Sequence, residues 1–235
     1  MTGNLGTNIA FAGLTAAGKT THAKILAAEL GYDYVSATEI LMEIAGVTDP
    51  SDQVWFTRLD EIQKLRGDGA IDAELEKRLL AQSRTRQRTV FDTWALAWIG
   101  DDPLIRIWIE SDLDSRARKC FVSQASPELD IAGCRRLIDE KDRFNRAMFR
   151  SRHGYDLFTD RKRYDAVLFN GHLIPKPTTE AAEIGISRFA PIVHSTATSV
   201  MKSSRIDAEV LKSRFRKEVW RITIPDWSKS PATRS

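Results

Sequence analysis

The chain has 235 residues, 42% of them apolar, enough to bury a full core as one large domain or one domain with an appendage, and a formal charge of only +3. The apolar run Ile9–Leu14 is too short and too glycine-broken for a secretory h-region or a membrane span, and no basic segment precedes it. The cysteines Cys120 and Cys134 and the scattered histidines His22, His153, His172 and His194 have neither metal-ligand nor disulfide-framework spacing, so a cytoplasmic protein with reduced, structural cysteines and no membrane partner is expected.

In chain order, "NIAFAG" reads as a short buried strand and "TTHAKILAAELG" as a helix whose Ala23, Leu26, Ala27 and Leu30 share a face before Gly31 stops it. "YDYVSA" gives a second strand, followed by helical patterns from about Thr38 to Ile44, Asp52 to Leu65 and Ile71 to Gln87. "RTVFDTWAL" and "PLIRIWIES" are dense in β-branched and aromatic residues and read as buried strands, and "YDAVLFNG" closes the series. Five strands alternating with helices predict an α/β fold with a five-stranded parallel sheet flanked by helices. Between the fourth and fifth strands, Asp112 to about Arg152 reads as two helices broken around Ser126-Pro127. Beyond Pro191 a Ser/Thr-rich connection leads to a basic helix with Leu211, Phe215, Val219 and Ile222 on one face. That stripe has to cover a surface on its own core or on a second copy, so a homodimer is one expectation.

Charge is uneven. Arg135 to Arg163 holds ten basic and five acidic residues, and Met201 to Arg221 seven basic and three acidic. Localised positive charge points to an anionic ligand or partner.

Gly13-Leu14-Thr15-Ala16-Ala17-Gly18-Lys19-Thr20 fits G-x-x-x-x-G-K-[ST], a phosphate loop, with a strand before it and a helix after it. Its glycines let successive backbone N–H groups of Gly13, Thr15, Ala16, Ala17, Gly18, Lys19, Thr20 and Thr21 converge on phosphate oxygens, aided by the positive end of the helix. Lys19 is expected to reach the β- and γ-phosphates of ATP, and Thr20 to ligate Mg²⁺. A second acid for the metal is expected at a neighbouring strand end, and "TVFDTW" supplies Asp92. The structural alternative for Asp92 is an ordinary turn aspartate. Helices rather than a long switch loop separate the two, and no N-K-x-D signature follows, which favours a small kinase over a signalling switch. Such an enzyme must exclude water and neutralise charge on the transferred group. Arg143, Arg146 and Arg150, three and four residues apart, are expected to present one helix face for that purpose, the alternative being surface ion pairs.

Together these features resemble the nucleoside monophosphate kinases, most closely the cytidylate-kinase-like group. "GLTAAGKTTHAK", "VSATEILME", "VFDTWALAW", "IWIESDLDSRARK", "DRFNRAMFRSRHGYDL" and "RYDAVLFNG" follow the family's order over about residues 8 to 190. The resemblance implies a P-loop kinase domain over 1–196, with an acceptor-binding helical insert at about 37–87 and an arginine-rich lid at about 120–152, then a basic helical extension over 197–235. It implies transfer of the γ-phosphoryl group of ATP to a small nucleotide, nucleoside or related acceptor. Two departures stand out. Met42 and Trp94 occupy places where the family has arginines that grip the acceptor's phosphate, and neither side chain can act as a guanidinium fork. The acceptor then lacks a phosphate, or is gripped unusually, with Arg58, Arg66 or Arg78 as sources of charge. Trp55, Phe56, Trp94 and Trp98 are either ring-stacking or core residues. The competing reading is a nucleotide-binding regulatory protein whose basic tail meets a partner. Nucleic acid is the less favoured partner.

Overall fold

A computed structural model describes residues 6–47, 58–100, 103–124 and 129–227. The helical start expected at Asp52, the ring candidates Trp55 and Phe56, and the break at Ser126-Pro127 lie outside the described residues.

One six-stranded sheet runs through the molecule. Strands β1 (Asn8–Gly13), β2 (Asp33–Ser36), β3 (Thr89–Asp92), β4 (Leu104–Glu110), β5 (Ala166–Phe169) and β6 (Val219–Ile222) lie in the order β2-β3-β1-β4-β5-β6. The first five are parallel, and β6 pairs antiparallel with β5. The helices are α1 (Lys19–Leu30), α2 (Ala37–Ala45), α3 (Leu59–Leu65), α4 (Ala70–Thr85), α5 (Leu96–Ile99), α6 (Leu113–Ser123), α7 (Ile131–His153), α8 (Thr179–Met201) and α9 (Arg205–Arg214).

β1 is buried along its whole length because both faces of the sheet are covered, which is why central parallel strands read as unbroken apolar runs. Its period of two divides the core. Ile9 and Phe11 join the layer formed with Leu26, Phe189, Val193 and Val200 of α1 and α8. Ala10 and Ala12 join the opposite layer with Leu41, Leu79, Trp98 and Phe149. Phe11 and Ser36 both stand in register with Asp92, so the carboxyl ends of β1, β2 and β3 meet at one edge, where α/β sheets place ligands.

Three expectations are corrected. The third strand stops at Asp92 rather than continuing through "TWAL", which turns into α5. The Ser/Thr-rich segment after Pro191 is no connection, since α8 runs through Pro191 and across the 196/197 boundary to Met201. Its Ile192, Val193, Ala197 and Val200 are buried, and Ser199 Oγ donates back to the Thr196 carbonyl at 2.9 Å, so packing outweighs the local helix-breaking signal. The tail is not one helix either: α9 ends at Arg214, and Val219 and Ile222 belong to a sixth strand beside the five expected. Ala208, Leu211, Val219 and Ile222 are buried against the chain's own α1–α8 layer, so the tail's stripe is covered within the chain.

Candidate active site

At the end of β1 the backbone passes directly beneath β4, and a Cβ on Gly13 would lie 2.8 Å from the Ile109 carbonyl oxygen. Ala16 and Gly18 then take left-handed conformations (φ 59° and 89°), which curls the loop into the start of α1. No side chain caps α1 and no acid stands in its first turn, so the positive end of the helix is open to an anion.

Thr15, Ala16, Gly18, Lys19, Thr20 and Thr21 line a cleft of about 580 Å³ between the loop, α6 and α8. Gly13 and Ala17 support it from behind. The Gly13 carbonyl accepts the Trp94 indole N–H, and the Ala17 carbonyl accepts Asn170 Nδ2–H at 2.9 Å. Asn170 Oδ1 in turn accepts from Lys119 Nζ at 2.6 Å, with Ser111 Oγ a second acceptor at 2.9 Å. Burial, opposed by Asp112 and reinforced by Arg116 and Arg118, lowers the Lys119 pKa to about 7. Burial first, then Lys119, lowers that of His22 to about 4, so His22 is a neutral packing group whose ring meets Phe189 edge-on.

Asp92 faces the loop. Its Oδ2 accepts from the Thr20 hydroxyl at 2.5 Å and from the Tyr34 phenol at 3.2 Å, while its buried Oδ1 has no hydrogen-bond partner among the described residues. Burial and then Asp92 raise the Tyr34 pKa, which keeps that phenol a donor.

A second, smaller pocket opens on the other side of Lys19. Asp92, Leu41, Arg66, Asp72, Leu75, Trp94, Lys141, Asn145, Met148 and Phe149 are among its walls. Lys19, Thr38 and Lys141 line both hollows. Lys19 Nζ stands 5.2 Å from the Trp94 ring centroid, so Trp94 serves the loop with both its face and its N–H. Met42, the other position expected to hold a phosphate-gripping arginine, is buried in the core. Trp98 is core as well, stacked on Tyr155 at 4.0 Å.

The structure does not bring Arg143, Arg146 and Arg150 to the site. Arg143 pairs with Asp139 at 2.8 Å and Arg146 with Asp156 at 2.6 Å on the outer face of α7, and Arg150 is exposed beside them. The buried stripe of α7 is instead Ile138, Asp142, Asn145 and Phe149, with Lys141 at its edge. Two polar residues on that stripe were the available signal, since a polar side chain turned inward needs a task. Asp142 Oδ1 accepts the Thr15 backbone N–H at 3.0 Å, and its Oδ2 accepts from Arg116 at 2.5 Å; Arg116 also donates to the Thr15 carbonyl at 3.1 Å. The arginine buried at the phosphate loop therefore comes from α6. Burial and then the nearby Lys19 push the Lys141 pKa well below that of an ordinary lysine. Of the insert arginines, Arg58 pairs with Glu61 and Arg78 with Glu43 and Glu74 at the surface, whereas Arg66 is buried in the smaller pocket.

Among the described residues no helix is long and apolar enough to cross a membrane. The model of the cytidylate kinase-like family matches residues 8–172. The chain is 26% identical over 185 residues to a cytidylate kinase of Natronomonas pharaonis, covering 78% of this chain and 91% of that relative. It is 29% identical over 140 residues to a cytidylate kinase of Halorubrum lacusprofundi, covering 58% and 69%. Among solved structures, a shikimate kinase from Bacteroides thetaiotaomicron superposes with a TM-score of 0.48 at 18% identity, over 80% of this chain and 98% of that one. A gluconokinase from Sinorhizobium meliloti 1021 gives 0.42 at 11%, over 81% and 96%. The family match runs from β1 to the turn after β5 and takes in the loop, Asp92, the smaller pocket and α7, so this P-loop small-molecule kinase belongs to the cytidylate kinase-like family.

Proposed function

We propose that the chain moves the γ-phosphoryl group of ATP from the larger cleft to a small nucleotide-type acceptor in the smaller pocket. One observation carries this reading: Lys19 and Lys141 border both hollows, so donor and acceptor would meet at two lysine amino groups. In-line transfer forms a bond from an acceptor oxygen to the γ-phosphorus and breaks the bond to the β–γ bridging oxygen, with ADP leaving. Lys19 stabilises charge on the group in flight, and Lys141 joins it once the bound phosphates, which favour the charged amine, offset desolvation and the repulsion from Lys19; partial burial makes the attraction stronger than it would be in water. Arg116 and the body of α7 keep water from the junction.

The Thr20 hydroxyl and the Asp92 carboxylate, whose Oδ1 has no hydrogen-bond partner among the described residues, are hard oxygen donors that suit Mg²⁺, an ion that takes few protein ligands beside phosphates and water. Bound there, Mg²⁺ would supply neutralisation of the phosphate oxygens. A nucleotide acceptor is favoured by the relatives named cytidylate kinase and by the apolar walls Leu41, Leu75, Met148 and Phe149, which suit a ring.

A coupled ADP-release assay with CMP, UMP, dCMP, AMP and their nucleosides tests this. Acceptor-dependent release that Lys19→Ala abolishes is the expected result. Release independent of every acceptor, or a Lys19→Ala variant within about threefold of wild type, would remove the assignment, since the loop lysine follows the γ-phosphoryl group into the transition state.

A further inference from the structure

We propose that Arg66 is the ligand for a phosphate monoester on the acceptor, held to that task by Asp72 and Asn145; this rests on the reading of the smaller pocket as the acceptor site. Arg66 and Asp72 are 7% and 2% exposed. Arg66 Nε donates to the Asp72 carboxylate oxygens at 3.1 and 3.2 Å and Nη2 donates at 2.8 Å, while Nη1 donates to Asn145 Oδ1 at 3.2 Å. The Phe144 ring lies 5.2 Å from the guanidinium carbon. A guanidinium has five N–H donors. These contacts engage three of them, so one hydrogen on each Nη has no acceptor among the described residues. Asp72 takes the Nε–Nη2 edge, and each Nη keeps one N–H for a ligand, a pair of charged donors suited to phosphate oxygens.

A purely structural role accounts for this poorly. Burying an ion pair returns little stability, and leaving two of its donors unspent in a pocket wall adds a desolvation cost. The rest of the pocket explains why the task falls to Arg66. Met42 is core, Trp94 is committed to the phosphate loop, and Arg58 and Arg78 are paired at the surface. Residues 48–57 of the insert contain neither lysine nor arginine. Arg66 shares the pocket with Lys19 and Asp92, so a phosphate it grips sits beside the transfer point. The gripped phosphate is also the nucleophile: its oxygen already carries the negative charge needed for attack, and no proton has to be removed.

Calorimetric titration of wild type loaded with Mg²⁺ and a non-hydrolysable ATP analogue, using CMP, UMP and AMP and then cytidine, uridine and adenosine, measures the phosphate's share of binding. At least one monophosphate should bind about a hundredfold or more tightly than its nucleoside, as two charge-assisted hydrogen bonds imply. Arg66→Met should bring that ratio to within about threefold, and Arg66→Lys should restore only part of it, since an ammonium keeps the charge without the fork. Because Arg66→Met strands Asp72, the double variant Arg66→Met with Asp72→Leu removes both charges, and its melting temperature and affinity for the ATP analogue report an intact fold. The proposal is overturned if wild type binds a nucleoside as tightly as its monophosphate, if no monophosphate binds, or if the preference survives in the folded double variant. Failure of wild type to bind the ATP analogue would instead remove the reading of the larger cleft.

Discussion

Asp92 joins three strands' worth of structure in one carboxylate: its backbone is in register with Phe11 and Ser36, one oxygen is tied to Thr20 and Tyr34, and the other is left over. Asp92→Asn keeps the shape and removes the charge, so ATP binding should change little while kcat falls by about two or more orders of magnitude, because the loss is felt as charge moves. Calorimetry beside steady-state kinetics separates the two, and a loss seen only in ATP affinity would place Asp92 outside the metal shell. Lys119 makes a different prediction. Its pKa in the folded chain is lowered to about 7, against about 10.4 for an ordinary lysine. Across that window the unfolded chain holds a proton that the folded chain lacks, so this group's contribution to stability rises with pH and is least below about pH 7. Lys119→Met should therefore gain most in melting temperature over wild type near pH 6.5 and lose most of that advantage by about pH 9.5; a pH-independent difference would show that Lys119 is charged when folded. At this scale the sequence was legible in placement, since Lys19, Thr20 and Asp92 stand together as their spacing predicts. Trp94 was not, because a tryptophan that braces a loop and one that stacks on a ligand look alike until the carbonyl of Gly13 is seen beneath its N–H.

Helix α7 shows how one residue of phase changes the reading of an element. The arginines at 143, 146 and 150 and the buried set at 138, 142, 145 and 149 have nearly the same spacing, and only packing decides which faces inward. Arg143→Ala, Arg146→Ala and Arg150→Ala should each leave the single-turnover rate within about threefold of wild type, as surface pairs contribute little. Lys141→Met, on the inner edge, should lower it by about a hundredfold or more. A loss of comparable size in any arginine variant would mean that α7 turns its outer face to the site during turnover. Helix α8 was missed for a related reason: serine, threonine and proline argue for a loop locally, but the small side chains let α8 pack against α1 and β4, and that gain is invisible to propensity.

At the scale of the molecule, the five parallel strands and their alternation with helices were readable because a sheet covered on both faces writes continuous apolar runs. The sixth strand was not, since Val219 and Ile222, three apart, are spaced for one helix face, and it is the pairing with β5, its register shifted between Val167 and Leu168, that lets a strand bury both. β6 seals the edge beside the strand that leads to Asn170, and it completes the layer holding Leu168 and Phe189. Deletion from Val219 onward should therefore lower the melting temperature by about 10 °C or more and promote association through the bared edge of β5. Thermal unfolding with light scattering measures both, and a truncated chain that melts with wild type would show that β6 adds nothing to the fold.

The clasp between Asp142 and the Thr15 amide has a kinetic consequence. A carboxylate already holds one N–H of the loop, so an arriving triphosphate that uses this amide must wait for it to let go. Stopped-flow binding of a fluorescent ATP analogue should then give an observed rate that levels off as nucleotide increases, the plateau being the speed at which α7 releases the loop. Asp142→Ala should turn that curve into a rising line, with arrival limited only by encounter. If wild type already gives a straight line, the clasp opens faster than nucleotide can arrive, and the loop is in effect always ready.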